Sequence, residues 1–451
     1  MRRVAWLAAA ILALSGVAAA AANSSEIQGE SSSREEAEAP PLSRAELWKS
    51  RRLEKLRRLV PDRPNRAERL LLFIEEGRLD EIFSIRYKDF YPRAGTITDG
   101  SGFGLGIRYF KSHIGGRRLN VESTYLHTFR DYRRLDFHAG RFDRIAPDFF
   151  VGPPEFGAPF RFGPPDPRDV DRKQWLAYAH FSYRYYPEED FFGIGNFSHR
   201  DAESNFLIES FTSEVVLGRS WTPWLATAAR VGWHQFNVEW REEKEHKARR
   251  GFSTDPREVP DLATQPDQVS AELALLVNAT DFPGNPHRGV AVGLSAARFR
   301  GLGDAGSRAD FSRYMLDARG YLPLLSPQRT LAVQVLAVRS VADSDRRIPF
   351  YLMPTLGGPN RLRGYESYRF RDNDFLYLSA EYRWEPAPAW ELAFFYDTGR
   401  VFADGDWILE GFHHSIGFGT RFKTTRRTFL RIDYARGQEE SRLHVRFGPA
   451  F

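Results

Sequence analysis

The 451-residue chain contains no cysteine. That excludes a disulfide framework and a lipid-modified cysteine near the N-terminus. After residue 22 there is no run of about 18 apolar residues, which excludes a membrane-crossing helix. The excess of positive charge is only +5 over this length. Such a balance leaves no electrostatic footprint for nucleic acid. The sequence lacks a G-x-S-x-G elbow, an H-E-x-x-H zinc helix and a phosphate-binding P-loop, and no Ser/His pair stands out. No catalysis, cofactor or metal is therefore expected.

The first residues read MRRVAWLAAAILALSGVAAAAANSS. Arg2 and Arg3 precede an apolar stretch at 4–17, and small residues at 18–22 precede Asn23. This is the pattern of a secretory signal, assigned to residues 1–22. Residues 23–41 are polar and of low complexity, as in disordered segments. Ser43 and Glu46 form a capping box ahead of a basic helix expected at 44–59. A second helix is expected from 66 to about 76, and residues 23–82 are assigned as a periplasmic extension. The basic helix reads as a solvated linker, with contact to acidic headgroups or a periplasmic partner as the alternative.

From about residue 83 the hydrophobic period changes to two. In SRLHVRFGPAF, Leu443, Val445, Phe447 and Phe451 alternate with Arg442, His444 and Arg446. In TFLRIDYAR, Leu430, Ile432 and Tyr434 oppose Arg431 and Asp433. In HSIGFGTRF, Ile416, Phe418 and Phe422 oppose Ser415 and Arg421. Aromatics make up 14% of the chain, high enough to line one side of many strands. Charge on one side and aromatics on the other, strand after strand, suits lipid outside and water inside. Short connections (220–224, 281–289, 326–329, 385–389) alternate with long ones (143–172, 187–203, 241–265, 343–374). Residues 83–451 are thus expected to form an all-β, about 16-stranded antiparallel transmembrane β-barrel in a bacterial outer membrane, its N-terminus periplasmic. The hairpins of 83–172 cannot be placed from the pattern.

One long connection carries the run TLGGPNRLRGYESYRFRDNDF, residues 355–375. The strand that follows places Leu376, Leu378, Ala380, Tyr382 and Trp384 on one face, so Glu381 and Arg383 face the lumen. In WELAFFYDTGRVF the apolar face is Trp390, Leu392, Phe394 and Tyr396, which turns Phe395, Asp397 and Gly399 inward. A carboxylate near a low-dielectric wall is costly alone, and arginine offers it a rigid, permanently charged fork. An arginine from the long loop can therefore latch it inside the barrel, with Gly364 giving the sharp turn at Arg363.

These residues carry a family resemblance. Arg363-Gly364-Tyr365 resembles the loop-tip signature of the Omp85 superfamily, and Phe395-Tyr396-Asp397-Thr398-Gly399 resembles its F-x-D-x-G strand motif. Glu381 lies between them in the family's order. FFGIGNFS (191–198) and DFPGNPHRG (281–289) resemble its bacterial surface antigen (D15) barrel. The resemblance implies a 16-stranded barrel in which Arg363 pairs with Asp397 near Glu381. Phe451 would serve as a C-terminal targeting residue. It also implies insertion or translocation of protein or lipid at the outer membrane, with lipid and lipopolysaccharide around the barrel and room for a periplasmic or membrane protein partner. The chain departs from the family where POTRA domains belong: the segment before the first strand shows no strand pattern. A passive or gated pore for small solutes is the alternative, and a surface-binding barrel the third reading.

Other constellations are weaker. His413 and His414 are adjacent, so a strand points them to opposite faces. Gly102, Gly104 and Gly106 read as strand glycines, since no helix follows to bind phosphate. Asp404 and Asp406 lack the further ligands that calcium needs.

Overall fold

The period-two pattern becomes one large sheet. The computed structural model describes residues 89–142, 175–240, 259 and 265–447, less 99, 115–118, 282–284, 304–308, 327, 345, 388–389, 404, 409 and 424–427, together with 48, 51 and 54. The expected signal, the low-complexity segment, the second helix, the long connection at 143–172, Asp404 and Phe451 lie outside the described residues. Of the basic helix, Trp48, Arg51 and Glu54 are described, and they are helical.

The described strands are β1 (Phe90–Gly95), β2 (Gly104–Lys111), β3 (Asn120–Thr128), β4 (Arg133–Arg141), β5 (Trp175–Phe191), β6 (Ser204–Thr222), β7 (Leu225–Trp240), β8 (Gln268–Thr280), β9 (Gly289–Gly301), β10 (Phe311–Pro323), β11 (Arg329–Ala342), β12 (Thr355–Leu356), β13 (Phe370–Arg371), β14 (Asp374–Ala387), β15 (Trp390–Phe402), β16 (His413–Lys423), β17 (Thr428–Arg436) and β18 (Ser441–Phe447). Sixteen of them pair in chain order into one antiparallel sheet, while β12 and β13 pair only with each other. Among the described residues β1 and β18 are not paired with one another. The two hairpins β1–β2 and β3–β4 occupy the segment where sequence periodicity placed none. Gly104 and Gly106 lie in β2, but Gly102 lies in the connection before it at φ +71°, not in a strand. Gly100, at φ +79°, shares with it the positive φ that only glycine adopts at no steric cost, and the chain reverses between β1 and β2 across the pair.

Burial is inverted relative to a water-soluble sheet. On β6 the buried face carries Ser210, Thr212 and Glu214, while Phe211, Val215 and Leu217 are exposed. Leu273 is 68% and Ile416 64% exposed, whereas Glu381, Asp397 and Asp433 are at 0%. Exposing such side chains to water strand after strand would forgo the main driving force of folding, so this face is solvated by lipid. The two tightest turns (Thr222–Leu225, Ala387–Trp390) lie at one end of the sheet, the end at which β4 also leaves toward β5. Exposed Trp175, Trp221, Trp224, Trp384 and Trp390 stand at that same end, as an aromatic girdle at a membrane interface. Pro187 falls within the register break between Tyr186 and Glu189 of β5, where a residue without an N–H costs no ladder bond.

The connection from β11 to β14, residues 343–373, lies on the polar face. Phe350 packs against Phe191 of β5 and Phe206 of β6 at ring distances of 5.3 and 5.1 Å. Tyr351 meets Phe236 of β7 at 5.1 Å. Arg313 of β10 donates to the Leu352 carbonyl at 2.5 Å. The same loop bonds strands β14 to β18, as described next, and Tyr368 reaches Thr98 after β1 at 2.6 Å. One loop can touch strands from both ends of the order only if the sheet curves around it.

Candidate functional site

The loop tip is a buried arginine set among carboxylates. Arg363 is 1% exposed. Its Nε donates to Asp397 Oδ2 at 2.8 Å and its Nη2 to Asp397 Oδ1 at 2.7 Å, a bidentate pair. Its Nη1 donates to Glu381 Oε1 at 2.6 Å. The Arg363 backbone N–H also donates to Asp397 Oδ2, at 3.2 Å. Charge-assisted bonds of this kind are the strong ones, and here they are shielded from water.

Each carboxylate is held in turn. Ser379 and Tyr377 donate to Asp397 Oδ1 at 2.8 and 3.2 Å. Glu381 also accepts from Arg421 at 2.9 Å and from Arg383 Nε at 2.8 Å. Asp433 of β17 lies 3.6 Å from Arg363 and 3.3 Å from Arg431. Arg363, Arg383, Arg421 and Arg431 thus face Glu381, Glu391, Asp397 and Asp433. A buried ion must be paired to be tolerated. Each member of this balanced set has an opposite charge within 4 Å, and Asp433 is held by charge alone, since neither of its oxygens accepts a hydrogen bond among the described residues.

The aromatic and glycine positions have steric reasons. Phe395 lies under the guanidinium, 3.4 Å from ring centroid to Arg363 Cζ. Opposite it on β16 is Gly417, where a Cβ would come within 2.3 Å of the ring. A Cβ on Gly364 would lie 2.3 Å from the backbone nitrogen of Gly437, so the loop backbone rests directly on the β17–β18 turn. Gly399 is packed beneath Leu356 and Leu362. Tyr365 is fully buried and donates to Gln438 Oε1 of that turn at 3.0 Å. Leu362 has φ +51°, uncommon for a leucine, and it turns the chain just before Arg363.

Arg363, Gly364, Tyr365, Glu381, Phe395, Asp397 and Gly399 therefore all meet at one place. Sequence reasoning missed Tyr377, Ser379, Gly437 and Gln438, and it put His444, whose Nε2–H donates to the Arg363 carbonyl at 2.7 Å, on the polar face but not at this site. It put Arg421, Arg431 and Asp433 on the polar face by alternation but not at this site. A second arginine, Arg369, makes a bidentate pair with Glu439 at 2.7 and 2.9 Å and donates to Ser198 Oγ at 2.9 Å. The stretch 191–198 enters through Asn196, which donates to the Gly411 carbonyl at 2.9 Å and accepts from the Val401 N–H at 3.2 Å. His413 and His414 begin β16 on opposite faces: His413 stacks on Phe370 at 3.8 Å, and His414 bonds Tyr396 at 2.6 Å.

The Omp85 superfamily domain matches residues 165–451, more than half of the chain. The chain belongs to the Omp85 superfamily. This Omp85 chain is similar in fold to BamA from Haemophilus ducreyi lacking POTRA domains 1-3, with a TM-score of 0.53 and 13% identity over 80% of this chain and 68% of that one. CdiB from Acinetobacter baumannii and CdiB from Escherichia coli align less closely, at TM-scores of 0.42 and 0.43 and identities of 10% and 12%, over 80% of this chain and 59% of each of theirs. No curated protein sequence matches. Omp85 barrels are outer-membrane proteins, which accounts for the apolar outer face.

Proposed function

We propose that this Omp85 protein assists insertion or translocation of polypeptide or lipid at the outer membrane, working at the seam between β1 and β18. The carrying observation is the pinning of Arg363 across the last strands while, among the described residues, the first strand is not paired with them. Bonds from residues 360–369 tie β14 to β18 into one block. On the other side of the seam stands β1, six residues long. The Phe110 N–H bonds the Asp89 carbonyl. Alternation then turns the Phe90, Pro92 and Ala94 amides toward the free edge. Pro92 has no N–H, so the middle donor of that edge is missing. A seam short of donors opens more easily than any other strand pair and offers an edge to an incoming strand.

An open solute pore fits less well. Phe350, Tyr351, Leu352 and Met353 of the loop pack with Phe191, Phe206, Phe236 and Phe311 in one apolar cluster across the polar face. The short turns and the 23–82 extension would face the periplasm. Single-channel conductance in planar bilayers tests the reading, wild type beside Arg363→Ala and Asp397→Ala. A mostly closed or flickering wild type, with both variants opening alike, is expected. A large steady pore in all three would overturn it. Depleting the protein in cells should lower particular outer-membrane components, which names the cargo.

A further inference from the structure

Among the described residues Arg219, a cation on the outer wall, has no anion beside it. On the exposed face of β6, Leu217, Arg219 and Trp221 alternate with buried Val216 and with Gly218. Arg219 pairs across to Trp175 on β5 and to Thr227 on β7. Its guanidinium carbon lies 4.8 Å from the Trp175 ring centroid and 4.1 Å from that of Trp221. Its Nε is buried without a hydrogen-bond partner. Among the described residues no carboxylate pairs with it. An arginine facing lipid is rare and costly, and it marks a site where something else supplies the counter-charge.

Depth and shape point to what that is. Arg219 stands in the tryptophan girdle at the short-turn end, where headgroups begin. Two aromatic faces satisfy the flat sides of a guanidinium but accept no N–H bond from its edge. Beside it runs a groove of about 520 Å3. Across the strands Leu217 pairs with Ala229, and Ala229 with Leu273. The small Ala229 between two exposed leucines forms the floor, and Leu294 continues the wall. Among the described residues that line the groove none is acidic, so none receives an ammonium headgroup.

We propose that β5–β9 carry a binding site for an anionic glycerophospholipid of the leaflet at the short-turn end. Its phosphate accepts from Arg219, and one acyl chain lies in the groove over Ala229. The site rests on the lipid-facing orientation of this wall, not on any role of the loop or seam.

Native mass spectrometry of the full chain in detergent, with equal phosphatidylglycerol and phosphatidylethanolamine, tests it. Wild type is expected to retain phosphatidylglycerol in preference. Arg219→Gln should weaken that retention about fivefold, the worth of one interfacial arginine. Ala229→Phe, which fills the groove without touching the lumen, should weaken it while leaving heat-modifiable mobility unchanged. Excess inorganic phosphate should not displace the lipid. Equal retention by wild type and Arg219→Gln, no preference over phosphatidylethanolamine, or unchanged retention by Ala229→Phe would each overturn the proposal. Displacement by inorganic phosphate alone would also overturn it, leaving a bare anion site.

Discussion

The two halves of the 343–373 loop are held by different physics. Residues 350–353 are seated in aromatic and aliphatic side chains from β5 to β11. Residues 361–369 are held by charge and close backbone contact against β14 to β18. Apolar packing is non-directional and tolerates a change of shape at similar volume. A buried bidentate pair does not, because removing one partner strands the other's charge. The loop is thus tethered compliantly on the early strands and rigidly on the late ones. A device meant to let one side of a barrel move while the other holds still would be divided in this way.

The largest expected effect is at the rigid half. Arg363→Ala leaves Asp397 without its bidentate partner and should cost about 3–5 kcal/mol, read as a lower urea midpoint of the heat-modifiable band. Arg363→Lys should restore under half of that loss, since a point charge cannot fork to both oxygens. Full recovery would mean that charge alone matters, and the contrast would collapse.

Gly364→Val comes next, at about 1–3 kcal/mol, because its Cβ meets backbone that cannot swing aside. Urea titration of Gly437→Val should give a similar loss, the same contact being approached from the other side. If either variant unfolds at the wild-type midpoint, the backbone contact is not what holds the loop.

Phe395→Leu removes the aromatic face beneath Arg363 and should cost about 2 kcal/mol. On the compliant half, Phe350→Leu should cost under about 1.5 kcal/mol. Combining Phe350→Leu with Arg363→Ala should give additive losses, since the two sites share no partner. A coupling well outside additivity would show that the halves act as one.

Much of this was readable in the chain. Alternation in WELAFFYDTGRVF turned Asp397 inward, and in FLYLSAEYRWE it turned Glu381 the same way, because a strand has only two faces. The early hairpins were not readable. β1 spans only six residues, and both glycines of β2 blur an alternation that needs side chains to be seen. Tyr377 and Ser379 escaped notice because they look like ordinary lumen residues until Asp397 is placed beside them.

By itself the sequence determined the class of solvent on each face, the period-two build of the later strands and the inward phase of both carboxylates. Each of these follows from local period and lipid contact. The choice among the loop's arginines was left to the tertiary structure. Arg361, Arg363, Arg369 and Arg371 carry the same fork within eleven residues. Only the left-handed turn at Leu362 and the glycine contact with the β17–β18 turn aim Arg363 at Asp397. Arg369 is sent to Glu439 and Arg371 to the Phe350 carbonyl. Identical side chains differ only in what long-range packing brings to them, and no local pattern records that.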